Sequence, residues 1–201
     1  MLKLFSLLLL LYSFNSFSKN NILVNYSNIA EAKYGDSLYL AKVLLTQVNK
    51  FLDNTTETNL ESVKNSWLMA REIYQQTEVF RFGNPIVDEW EGKVNAWPLD
   101  EGLIDYVNIS NYYATENDFG NFNIIANEKL KVEGNLVDAT IIDSHLLESK
   151  LHEIGGNEAN VATGYHAIEF LLWGQDLNGT NVGKGERPYT DYSLNNCTNE
   201  N

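Results

Sequence analysis

The spacing of apolar side chains near the N-terminus does most to limit what this chain can become. Tyr34, Leu38, Ala41, Leu45, Val48 and Leu52 follow one another at steps of four, three, four, three and four. That rhythm keeps one side of an α-helix apolar and suits no face of a strand. Leu40, Leu44 and Phe51 widen the stripe, so a helix from about Tyr26 to Asp53 is expected to pack on more than one neighbour. Asn54-Thr55-Thr56 ends it. Thr58 and Glu61 then have capping-box spacing for a second helix, which carries Leu60, Val63, Trp67, Ala70, Tyr74 and Thr77 on one face and stops near Gly83-Asn84-Pro85. Two long helices joined by a short polar turn predict an antiparallel hairpin, the start of a bundle.

Beyond the hairpin, Pro85, Gly92, Pro98, Gly102 and Gly120 interrupt the chain, leaving room for short helices near 87–94 and 101–108. The Asn- and Tyr-rich stretch 108–123 reads as a surface loop. Helical pattern returns at 141–153, ends at Gly155-Gly156, and resumes from about Ala159 to Trp173. No repeat and no alternating run longer than four or five residues is present, so the fold class is all-α, a helical bundle.

Lys3, an apolar run over Leu4–Tyr12 and the small-x-small ending Ser16-Phe17-Ser18 form the pattern of a secretory signal. Cleavage is expected near Ser18-Lys19, which assigns 1–18 to the signal and 26–192 to the helical domain. The apolar run falls short of the roughly 20 residues of a membrane span, so no transmembrane span is expected after cleavage. A net charge of −13 argues against a nucleic-acid partner. A single cysteine, Cys197, excludes a disulfide scaffold. The polar tail 193–201 stops where another helix would begin, the expectation for a C-terminally truncated sequence.

The chemistry concentrates in Gly164-Tyr165-His166-Ala167-Ile168-Glu169-Phe170-Leu171-Leu172-Trp173-Gly174. His166 and Glu169 are three apart and share a helix face within an apolar run that predicts their burial. A buried carboxylate needs a partner. A metal ion uses both side chains, and a hydrogen-bonded His-Glu pair without metal is the alternative. His145, Glu148 and His152 have related spacing, but the polar stretch around them reads as solvated helix surface. Further donors are available in Arg71, Tyr74 and Glu78 on the second helix. Trp97-Pro98-Leu99 fixes a turn that places Asp100 or Glu101 at a helix start, where Asp100 has N-cap duty as its other reading. Asp88, Glu89 and Glu91 beside Pro85 read as solvated. There is no HExxH zinc motif, phosphate-binding loop or Gly-x-Ser-x-Gly elbow.

Together these segments resemble the imelysin family, also called insulin-cleaving membrane proteases, which includes iron-regulated envelope proteins. Its Gly-x-His-x-x-Glu signature matches Gly164, His166 and Glu169, and the likeness continues through Asp176. Val94-Asn95-Ala96-Trp97-Pro98-Leu99-Asp100-Glu101 and Arg187-Pro188-Tyr189-Thr190-Asp191-Tyr192 also look like family segments. The resemblance implies two bundle-like helical halves with the signature near their junction, the second half being absent from this sequence. It implies export to the periplasm or outer envelope, other envelope iron-uptake components as partners, and a divalent or ferric ion, iron before zinc, as cofactor. By the same resemblance Glu78 and Asp100 join His166 and Glu169 as metal ligands, supported by Arg71 or Tyr74. A metallopeptidase with Glu78 or Glu101 as base is the alternative function, and a helical envelope scaffold the second alternative.

Overall fold

The computed structural model describes residues 2–108, 117–132 and 134–197, with side chains from residue 21 onward. The expected signal, 1–18, therefore lies outside the described side chains, and residues 109–116 of the loop expected at 108–123 lie outside the described residues. Helix α1 spans Leu2–Asp53 and α2 spans Glu57–Gln75. They form the expected hairpin. Buried Leu44 and Phe51 of α1 meet Leu60, Val63, Trp67, Ala70 and Tyr74 of α2. The core face of α1 is turned from the expected stripe: Ser37, Leu44 and Phe51 are buried, while Leu38, Leu45 and Leu52 are exposed. Those leucines line one wall of an apolar groove of about 1090 Å³ that runs between α1 and the signature helix. The cap of α2 also differs from expectation. Thr56, not Thr58, is the N-cap, and its hydroxyl accepts from the Asn59 amide (3.3 Å). Starting there places Glu57 in the first turn, where the helix dipole favours a carboxylate.

After a 3-10 turn at Glu78–Phe80 come α3 (Pro85–Val94) and α4 (Glu101–Ile104). A two-stranded antiparallel ribbon follows, β1 (Lys129–Val132) pairing with β2 (Asn135–Asp138). Each strand has four residues, within the limit set by the sequence pattern. The helix expected at 141–153 is shorter: α5 (Ser144–Leu146) continues as one π-turn, Leu147–Leu151. Helix α6, the signature helix, spans Gly164–Trp173, and a 3-10 turn at Tyr189–Tyr192 follows. Among the described residues no helix is long and apolar enough to cross a membrane.

Helix α6 is where the cores meet. Tyr165 and Leu172 join the α1/α2 core, and Ala167 and Phe170 pack with Ile104 of α4. Ala162, just before α6, belongs to the core under the ribbon with Leu103, Leu130 and Leu151. The Trp67 indole N–H donates to the Tyr165 carbonyl (2.9 Å), and its ring meets Trp173 edge to face at 5.3 Å. These contacts fix the rotation of α6 and so decide which of its side chains face outward.

Candidate functional site

The signature helix starts at Gly164, five residues later than its apolar pattern suggests, because specific partners hold the preceding segment. Ala162 N–H reaches His152 Nδ1 (3.5 Å), and the Thr163 hydroxyl donates to the Lys93 carbonyl (2.8 Å). Gly164 has φ +87°, and a Cβ there would lie 2.5 Å from the Val94 carbonyl oxygen. Only glycine lets α6 begin this close to the end of α3. His152 completes the joint, its Nε2 lying 3.1 Å from the Gly92 carbonyl. Its side chain is 5% exposed, which corrects the expectation of a solvated residue. His145 and Glu148 are exposed, as expected.

With Tyr165, Ala167, Phe170 and Leu172 turned inward, His166 and Glu169 face a cleft. They meet at 2.9 Å, Nδ1 to Oε2. The side chains are 17% and 43% exposed, so the expected burial holds for neither, and least for Glu169. Glu169 thus needs no buried counter-charge. It keeps contact with water and fixes the imidazole. The Trp97 ring lies 5.0 Å from that of His166.

The cleft measures about 710 Å³ and is walled by Trp67, Trp97, Trp173 and Phe170. Its polar groups are Glu101, His166, Glu169, Asp176 and Lys184. Glu101 is half-buried. Its carboxyl is pushed up from 4.5 to about 7, first by desolvation and then by the charges of Asp176 and Glu169, against a smaller pull from Arg187. Asp176 and Lys184 arrive on the loop after α6, which turns back tightly. A Cβ on Gly185 would lie 2.3 Å from the Trp173 carbonyl oxygen, and the Arg187 amide donates to that oxygen (2.8 Å). Arg187 anchors the loop. Its Nη1 donates to Asp105 Oδ2 (2.5 Å), and the guanidinium lies over the Tyr106 and Phe170 rings at 4.9 and 5.4 Å.

The remaining sequence candidates lie elsewhere. Glu78 is exposed and lines a separate groove with Arg81 and Asp88. Asp100 stands at the N-cap position of α4 without making a side-chain cap. Its amide donates to the Ala159 carbonyl (2.8 Å), and its carboxylate accepts from Asn117. Tyr74 is core, and burial raises its hydroxyl well above the ordinary tyrosine value. Arg71 lies over the Tyr74 and Tyr165 rings. Among the described residues no group of three or more His, Cys, Asp or Glu could hold a metal ion. No spacing or motif in the sequence marks Asp176 or Lys184 as a site residue. Asp176 ends the signature phrase and Lys184 sits between two glycines, weak signals for residues on a non-periodic loop.

Helix α6 thus turns a His-x-x-Glu pair into an acidic, aromatic cleft. The imelysin family model matches residues 30–199, and the chain belongs to that family. Among curated relatives, iron-regulated protein A of Synechococcus elongatus is 39% identical over 49 residues. That match covers 24% of this chain and 14% of the relative's own length.

Proposed function

We propose that the protein is an exported cell-envelope protein that binds iron at His166, with Glu169 orienting the imidazole. The observation carrying this reading is the His166–Glu169 bond at 2.9 Å. With Nδ1 committed to a carboxylate, Nε2 becomes the coordinating nitrogen, the arrangement in which metal-bound imidazoles are usually held. One imidazole with carboxylates (Glu101, Asp176 and Glu169 are at hand) suits iron, manganese or zinc. Few protein donors converge, so water or a bound ligand fills the remaining positions. Family membership, the iron-regulated relative and the signal-like N-terminus support iron and export. Glu78 and Asp100 are not needed as ligands in this arrangement.

The test is metal content and affinity in wild type, His166→Ala and Glu169→Ala. His166→Ala should abolish specific binding, and Glu169→Ala should weaken it about 10–100-fold, as the loss of an orienting partner does. Unchanged binding in both variants would end the reading. The second reading, a metallopeptidase, is favoured by one observation: Glu101 shares the cleft with His166. A bound metal would polarise water there, and Glu101 would take its proton. Metal-dependent peptide cleavage lost in Glu101→Gln, with metal affinity retained, would establish it.

A further inference from the structure

A metal ion leaves most of this cleft unfilled. An ion with six waters, at about 30 Å³ per water, occupies about 180 Å³, against about 710 Å³ here. The volume falls within the range of organic-ligand sites. Two carboxylates, Glu169 and Asp176, and the Glu101 carboxyl, which ionises near 7, face it with one lysine, Lys184, so its charge balance calls for a cation. The aromatic wall narrows the class of cation. The ring face of Trp173 already carries the Lys64 ammonium at 5.8 Å, and the Arg187 guanidinium lies over Tyr106 and Phe170. Trp97 is different: it is 70% exposed at the mouth of the cleft, with His166 beside it. A bare metal ion gains little from an indole rim. An alkylammonium or guanidinium group gains both the ring face and the carboxylates, and its aliphatic stem covers Leu68 and Leu99.

We infer that the cleft binds an organic cation, with Trp97 as its aromatic face and Glu101, Glu169 and Asp176 as its counter-charges. The ligand is an aliphatic amine or guanidinium, either a free polyamine or a basic side chain of a peptide. This inference shares the cleft with the metal reading but does not depend on it.

Titration calorimetry of the metal-free chain with spermidine, with a blocked lysine-rich hexapeptide and with a neutral sugar of similar size tests it. Saturable binding of either cation, absent for the sugar and weakening with salt, is expected. Trp97→Ala should weaken it about two- to fivefold, the range for an exposed cation–π contact, and Trp97→Phe should fall between. Asp176→Asn should weaken it and flatten the salt dependence. His166→Ala should keep cation binding while losing metal, so the two readings fail separately. Preference for spermidine or for the peptide identifies the source. No saturable cation binding, equal binding of the sugar, or wild-type affinity in Trp97→Ala would overturn the inference.

Discussion

The two ends of α6 are held by opposite physics. At the N-terminal end the contacts are neutral and close. His152 and Thr163 bond to the Gly92 and Lys93 carbonyls, and Gly164 lets the backbone approach Val94. At the C-terminal end the anchor is ionic: Arg187 bonds Asp105, with Asp191 3.9 Å away, all three nearly buried. Each end positions a different part of the cleft. The N-terminal joint ties α6 to α3, whose exit carries Trp97 and Glu101. The C-terminal anchor folds back the loop that carries Asp176 and Lys184. Satisfied neutral bonds are cheap to bury, whereas an ion pair is tolerated only while both partners remain. The same helix should therefore respond very differently to damage at its two ends.

Arg187→Met is the largest break. It leaves Asp105 buried without its cation beside Asp191, a change that typically costs about 3–5 kcal/mol. Chemical denaturation should show that loss, and adding Asp105→Asn should recover part of it. If Arg187→Met were no worse than a surface substitution, the ionic account of this end would be wrong.

His152→Ala breaks the other end. The Ala162 amide loses its acceptor and the Gly92 carbonyl its donor, but no charge is stranded, so about 1–3 kcal/mol should be lost. Because α3 leads to Trp97, the tryptophan emission of the native variant should shift as well. Unchanged emission with lowered stability would mean that this joint stabilises the fold without positioning the cleft.

These contrasts also explain what was legible in the sequence. The α1/α2 hairpin could be read because helical periodicity is local. The rotation of α1 could not: whether Leu38, Leu45 and Leu52 are covered depends on which helices lie beside them, and here a groove does. The His166–Glu169 pair was legible as an i, i+3 spacing. Its exposure was not, since the Trp67 and Tyr165 contacts that rotate α6 cross 98 residues of sequence. The choice between Asp100 and Glu101 was left open by the turn Trp97-Pro98-Leu99. Asp100 bonds to Asn117 and Ala159, while Glu101 lines the cleft. Partners so distant in sequence leave no trace in spacing.

The smallest predicted effect concerns Glu101, which neither end anchors directly. Its carboxyl titrates at about 7 in the folded chain against an ordinary 4.5, because burial and the charges of Asp176 and Glu169 disfavour its ionised form. Below about pH 4.5 the group is protonated whether the chain is folded or not, and it carries no penalty. Between about 4.5 and 7 the unfolded chain ionises first, so native stability falls as pH rises; above about 7 the penalty is complete. Glu101→Gln removes the titration. Its melting temperature should match wild type near pH 4, rise above it through this window, and hold a constant lead at higher pH. The share of the lead that comes from Asp176 and Glu169 should shrink in salt, because solvent in the open cleft screens their repulsion, while the share from desolvation should remain. A difference that does not vary with pH would show that Glu101 is neither desolvated nor crowded by Asp176 and Glu169 in the folded chain, and would remove the electrostatic distinction between the cleft and the ordinary acidic surface of this chain.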